Sequence, residues 1–263
     1  MKIDKSAEQF IQLLGIVEKL RGSNGCPWDK EQTPESLLPY FLEETYEVIE
    51  SIDQSNWDNL KEELGDVMLH VALQAQISKE EGRFTIFDTL VNINKKLVRR
   101  HPHVFGDEKA DIASHAKKNW EAIKHEEKKR ESRLDGVPLA LPALTRAQRL
   151  QEKASYAGFD WDNIESVWEK LYEEIDELKA ADKSKDISDL KEEIGDVLFS
   201  VVNLARHLKL DSEDLLRRAN NKFINRFKAI EKELVEKGKT IDEANSDEMD
   251  EIWDQIKSQV KKG

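Results

Sequence analysis

Apolar residues recur at helical spacing along the chain, and in four places carboxylates line the edge of the apolar stripe. In Leu171–Ser200, at about 100° per residue, Leu171, Ile175 and Leu178 fall within roughly 40° of one another and predict a core-facing stripe. Glu174 lies on the border of that stripe and Glu177 just beyond it, whereas Glu173 and Asp176 turn toward solvent. A second stripe follows in Leu190, Ile194, Val197 and Val201, with Glu193 and Asp196 at the matching angles. The stretch Phe41–Val71 repeats the plan: Phe41, Val48 and Ile52, then Leu60, Leu64, Val67 and Val71 form the stripes, and Glu44, Glu47, Glu63 and Asp66 sit where the other four acids do. Each pair of helices thus aims two pairs of carboxylates at one place.

The rest of the chain fits around these pairs. Phe10, Leu13, Leu14, Val17 and Leu20 predict a helix over 6–21, and GSNGCPWDKEQTPES breaks it. The connection DQSNWDN is short enough to make its flanking helices antiparallel neighbours. A helix through Ile86, Leu90, Ile93 and Leu97 stops at His101-Pro102, and an amphipathic segment with Trp120 and Ile123 follows a loop. After a charged and then Gly/Pro-punctuated stretch the plan recurs, with Trp161-Asp162 matching Trp28-Asp29, Lys222 and Arg226 matching Lys96 and Arg100, and Trp253 matching Trp120. The expected organisation is two tandem helical domains, 1–125 and 143–263, joined by a connector over 126–142. FTIF and VPLAL are the nearest approaches to strands and are too short to build a sheet, so the fold class is all-α.

Charge narrows the partners. A net charge of −13 opposes a nucleic-acid polymer, which needs a broad basic surface, but not a nucleotide, whose few phosphates a metal and local bases can meet. The single cysteine, Cys26, excludes an internal disulfide and fits a reducing compartment. MKIDKSAEQF lacks an apolar signal core, and the runs near VMLHVAL and VLFSVVNLA are too short for a bilayer. No membrane association and a cytoplasmic location are expected.

Four acids converging between helices must be protonated, paired with bases or neutralised by a metal, since unpaired burial of a carboxylate is prohibitive. Glu-rich helix faces are usually solvated, but the recurrence of the same angles in both halves favours the metal. Hard carboxylate oxygens suit Mg²⁺ or Mn²⁺, and magnesium commonly shares phosphate oxygens. A carboxylate-bridged di-iron bundle needs Glu-x-x-His on two helices, and here the third residue on is Glu177 or Asp196. Gly65 and Gly195 inside these helices each cost about 1 kcal/mol against Ala, which close backbone packing beside the acids would explain. Gly238-Lys239-Thr240 lacks the upstream glycine and strand of a phosphate loop, and His101 with His103 has no further spaced metal ligands.

The pattern Glu173-Glu174-Ile175-Asp176-Glu177 followed by Glu193-Ile194-Gly195-Asp196 resembles the signature of the MazG nucleoside triphosphate pyrophosphohydrolases. GCPWDKEQT, EETYE, ELGD, RRHPHVF, GFDW and the duplicated layout extend the resemblance over nearly the whole chain. It implies cleavage of a nucleoside triphosphate between the α and β phosphates, giving a monophosphate and pyrophosphate, and a homodimer whose paired helices complete each bundle. Carried over by motif position, Glu174, Glu177, Glu193 and Asp196 would hold Mg²⁺ and serve catalysis, with Glu44, Glu47, Glu63 and Asp66 as first-half equivalents. The resemblance also places Lys222 and Arg226 at the nucleotide, and Lys170, Glu173 and Trp253 are further candidate nucleotide contacts. Lys222 and Arg226 lie one helical turn apart and can reach one triphosphate, although the spacing equally suits a solvated basic face. Trp253 suits either stacking on a base, with broad base tolerance as the result, or closing the bundle core beside Ile252 and Ile256. A non-catalytic module that binds nucleotide and metal and acts through a protein partner is the second reading. Asn203 and Arg206 beyond the second acidic pair, against Leu73 and Gln76 in the first half, point to the second half as the working one.

Overall fold

The computed structural model describes residues 5–106, Trp120, Ile123, Glu127 and 131–260. The chain divides into two compact units, Met1–Trp120 and Glu121–Gly263. Among the described residues there is no strand: Thr85 in FTIF caps a helix, and VPLAL is irregular.

The first unit contains α1 (Lys5–Arg21), α2 (Pro27–Glu31), α3 (Leu38–Asp53), α4 (Trp57–Glu80), α5 (Ile86–Arg100) and α6 (Pro102–Phe105). Helix α3 packs along α4, and α1 crosses α4 through a core of Val17, Leu37, Ala72, Leu73 and Ile77, with Leu13, Leu14 and Leu69 against it. The break after α1 is pinned by Arg21, whose guanidinium is nearly buried. It donates to Glu80 at 2.8 Å, to the Gln32 carbonyl at 3.2 Å and to the Asp29 carbonyl. Most of the amphipathic segment expected around Trp120 lies outside the described residues.

The second unit contains α7 (Ala143–Tyr156), α8 (Ile164–Ser184), α9 (Ile187–His207), α10 (Ser212–Glu236), a short 3₁₀ turn (Ile241–Glu243) and α11 (Ser246–Val260). Helix α8 packs along α9, with Val167, Leu171 and Leu204 buried together. A separate cluster of Ile230, Leu234 and Ile252 joins α10 to α11, and Trp253 packs against it.

Both acidic hairpins turn in the same way. Ser55 (φ 54°) between α3 and α4 and Lys185 (φ 58°) between α8 and α9 take the left-handed conformation that ends a helix, at corresponding points of the two halves. The next helix is then started by a side-chain cap: Asn56 accepts from the Asn59 amide, and Asp186 from those of Ser188 and Asp189. Three residues separate α3 from α4 and two separate α8 from α9, so each pair is a tight hairpin as the connection length predicts.

The expected core stripes are only partly interior. Val197 is half-buried, but Ile194 and Val201 are 46% and 45% exposed, and Leu64 and Val71 are exposed likewise. Ile52 on the α3 stripe is also exposed, while Leu171 and Ile175 on α8 turn inward as predicted. The core of each unit is instead built from the adjoining face, Ala72, Leu73 and Ile77 in α4 and Val202, Leu204 and Ala205 in α9. These helices carry two apolar faces, one of which the described residues leave uncovered. A Cβ on Gly65 or Gly195 would meet nothing within 4 Å, so close packing within the chain is not what keeps them glycine.

Because Leu171 holds the α8–α9 pair in register, Leu171→Ala should lower stability by about 2–4 kcal/mol, read as a lower urea midpoint at unchanged slope.

Candidate metal centre

The hairpins bring the acids together from two directions. In the second unit Glu174 and Glu177 leave α8 three residues apart, on one helix face, and Glu193 leaves α9. One oxygen from each of the three lies within 4.8 Å of the other two. Glu174 is buried, Glu193 half-buried and Glu177 exposed, so the cluster opens at one side. Asp196, one turn beyond Glu193, is exposed and lines a cavity with Glu174 and Lys170. In the first unit one oxygen from each of Glu44, Glu63 and Asp66 likewise lies within 4.8 Å of the other two. Glu47 stands outside that triad but lies close enough to Glu63 to raise its carboxyl. Six of the eight predicted carboxylates therefore fall into two triads, and the other two, Glu47 and Asp196, stand at their edges.

Like charges this close resist ionisation. Burial and the neighbouring charges of Asp66, Glu47 and Glu63 push the Glu44 carboxyl up to about 7. Glu63 is also raised, by burial and then by Glu47, and Glu193 by burial and then by Glu177, Asp196 and Glu174. Such a donor set, all hard oxygens and short of counter-charge, fits a divalent cation.

The two units offset this charge differently. In the second, Lys170 sets its ammonium 2.8 Å from Glu174 and 3.0 Å from Glu173, and those hydrogen bonds hold its pKa well above the ordinary lysine range. In the first, Tyr40 occupies the corresponding place, and Glu63 is held by the Asn59 amide at 3.1 Å. Asn59 also reaches Ser51 at 2.8 Å. His70, one turn past Asp66, is a feature that sequence reading missed. It is buried, packs 5.7 Å from the Phe41 ring, has no partner for Nδ1, and has its pKa lowered by burial against the opposing charge of Asp66.

The remaining predicted residues do not line the cavity beside the second triad. Lys222 is exposed on α10, and the Arg226 guanidinium covers the Trp253 ring at 5.3 Å, with Phe223 at 5.5 Å from the same ring. Arg100 and Trp120 form the same pair at 5.0 Å in the first unit. None of Lys222, Arg226 and Trp253 borders the cavity beside Glu174, which is lined instead by Gln151, Phe159, Trp161, Asn203 and Arg206.

The family model of the MazG nucleotide pyrophosphohydrolase domain matches residues 32–105 and 162–230, each range containing one acidic quartet. The chain belongs to this family. It is 51% identical over 251 residues to the nucleoside triphosphate pyrophosphohydrolase/pyrophosphatase MazG of Thermotoga maritima, covering 94% of this chain and 95% of that protein. It is 46% identical over 257 residues to the nucleoside triphosphate pyrophosphohydrolase of Escherichia coli, with coverage of 95% and 98%. A third relative, YabN of Bacillus subtilis, is 44% identical over 252 residues, which are 95% of this chain and 52% of YabN. As in the MazG pattern, the acids recur in duplicate, and among the described residues no helix is long and apolar enough to cross a membrane.

The raised carboxyls set a pH dependence. A folded-state pKa above the unfolded value gives stability that is fully present below about 4.5 and is lost as pH rises through about 7. Without divalent cations, the melting temperature should therefore fall between pH 5 and pH 7.5 on scanning calorimetry. Added Mg²⁺ should raise it more at the higher pH, and Glu44→Gln should flatten the metal-free profile.

Proposed function

We propose that the chain hydrolyses nucleoside triphosphates between the α and β phosphates, releasing a nucleoside monophosphate and pyrophosphate, with magnesium held by Glu174, Glu177, Glu193 and Asp196. The observation that carries this reading is the convergence of three carboxylates from two helices beside a cavity that also contains a lysine. Bound magnesium, or manganese, would supply Lewis-acid stabilisation of the charge that grows on the departing pyrophosphate. Lys170 answers the same charge from the protein side, since it already lies against Glu174 and can exchange that carboxylate for a phosphate oxygen. Glu173 keeps Lys170 protonated and aimed at the cavity. A carboxylate oxygen of the cluster that the metal leaves free would accept the proton of the attacking water.

The second unit is the working one in this reading, because its acids border the cavity, whereas Leu73 fills the place of Asn203 in the first unit and belongs to the core. We take the domains as 1–125 and 143–263 with a connector between, acting in the cytoplasm. The uncovered apolar faces of α4 and α9 support a homodimer, and Lys222, Arg226 and Trp253, which lie apart from the cavity in one chain, would serve a nucleotide held at such an interface.

Three measurements test this. Pyrophosphate should be the first product from ATP or GTP with magnesium, and orthophosphate as first product would refute the bond assignment. Glu193→Gln should lower kcat by about 10³-fold while far-UV circular dichroism stays native, and Glu63→Gln should retain most of the activity. Ile194→Glu combined with Leu198→Glu should convert a dimer into a monomer on light scattering; both side chains are about half exposed in the single chain.

A further inference from the structure

One wall of the cavity beside the second triad comes from outside the helices. Residues 131–136, which precede α7, are all exposed and fold into a tight turn on hydrogen bonds of their own. The Ser132 amide donates to Asp135 Oδ2 at 3.0 Å, the Asp135 amide to the Ser132 carbonyl at 3.2 Å, and the Leu134 amide to Ser132 Oγ at 3.1 Å. Gly136 takes φ 80°, the left-handed region that favours glycine, as the chain leaves the turn. Leu134, in the middle of the turn, lines the cavity together with Leu150 and Ala154 of α7. It is 43% exposed and belongs to none of the apolar clusters that hold the helices together. Its apolar contact is therefore with the cavity and not with a core.

Lys153 fastens this turn to α7. The lysine is 6% exposed, and its Nζ donates to the Arg133 carbonyl at 3.3 Å. An ammonium shut away from water needs acceptors to stay charged, so the carbonyl next to Leu134 is held at a defined place. Lys153 and Ala154 are neighbours on α7, and the turn of helix that lines the cavity thus also carries the attachment. The lining is buried on its helical side, through Gln151, Glu174 and Asn203, and exposed on its loop side, where Phe159 is 78% exposed beside Leu134 in the same wall. The mouth of the cavity is on that loop side. A segment with an exposed backbone, local hydrogen bonds and no core of its own opens at far lower cost than a packed helix.

We propose that the Ser132–Gly136 turn is a flap on the mouth of this cavity, which swings on the Lys153 attachment and closes Leu134 against a bound substrate. This rests on the reading of the chain as a nucleoside triphosphate pyrophosphohydrolase whose working site is in the second unit. Leu134 and Lys153 are positioning residues: Leu134 covers the ligand, and Lys153 acts through the turn. Closure takes the exposed part of the leucine out of water, keeps bulk water from the cavity and slows escape of what is bound. These contacts form with the bound substrate and persist in the transition state, so their loss falls on KM and not on kcat. The segment that joins the two units in sequence thereby becomes a working part of the second one.

Hydrogen exchange of the full chain, read by mass spectrometry on peptides spanning 131–137, tests this with magnesium and α,β-methylene-ATP, whose α–β bridge cannot be hydrolysed. At a concentration that saturates binding by calorimetry, the ligand should slow exchange in that segment about tenfold. Lys153→Met should abolish most of the slowing while the helical peptides exchange as in the wild type. Leu134→Ser should raise KM for pyrophosphate release about tenfold with kcat retained, since the exposed part of one leucine is what closure buries. Exchange over 131–137 that the bound ligand leaves unchanged is the mark of a rigid wall and would overturn the flap, as would a KM unmoved by Leu134→Ser. Either result alongside pyrophosphate release by the wild type rejects the flap and spares the reaction. Slowed exchange without pyrophosphate release from ATP or GTP rejects the reaction and leaves the flap standing. No binding of the ligand at all would overturn both.

Discussion

Carboxylates from two helices, brought within a few ångströms of one another and partly shut off from water, repel each other and lose hydration together. The tertiary structure must keep paying for that arrangement, and much of the fold can be understood as the means of holding it. A left-handed residue closes each acidic hairpin, an Asn or Asp cap starts the second helix at a defined residue, and the Val167–Leu171–Leu204 contact or its first-unit counterpart fixes how the helices lie. Slippage of either helix by one residue would swing its acid pair by about 100° and scatter the triad. The elevated Glu44, Glu63 and Glu193 carboxyls are the electrostatic trace of this forced approach.

The two acidic hairpins are furnished differently. Both units retain the hairpin and the triad, yet the second sets a lysine of the same helix against Glu174, and the first an amide against Glu63, with the Glu44 and Glu63 carboxyls raised. Past the acids the differences widen. His70 and Leu73 close the first unit inward with an imidazole and a core leucine, while Ser200 and Asn203 at the same helical positions border a cavity in the second. Arg206, where the first unit has Gln76, is locked by Asp160 in a clamp with no first-unit counterpart, since Pro27 stands where Asp160 does.

Helical periodicity is a local property, and what depends on it was legible in the sequence: the all-α class, the duplication, the tight hairpins and the approach of six of the eight acids. It was mute on which of two apolar faces a helix turns to its own core. Ile194 and Val201 were expected inside because they share a stripe with Val197, but α9 carries a second apolar face through Val202, Leu204 and Ala205, and that one meets the chain's own helices. The glycines beside the acids misled for a related reason, since none of the described residues packs on them. The cavity was invisible because its walls come from α7, the loop holding Phe159 and Trp161, and α9, a meeting that no single periodic segment encodes. Lys170, by contrast, sits one turn before Glu174, and its ion pair is an ordinary i to i+4 contact.

The central claim is that the second triad is a binding site for a divalent cation. Anomalous diffraction from crystals soaked in Mn²⁺ tests it most directly. The account predicts a peak in ligating contact with Glu174, Glu177 and Glu193 that disappears in Glu193→Gln. Density for well-ordered carboxylates with Lys170 still on Glu174 and no peak among them, at a manganese concentration that supports turnover, would contradict it.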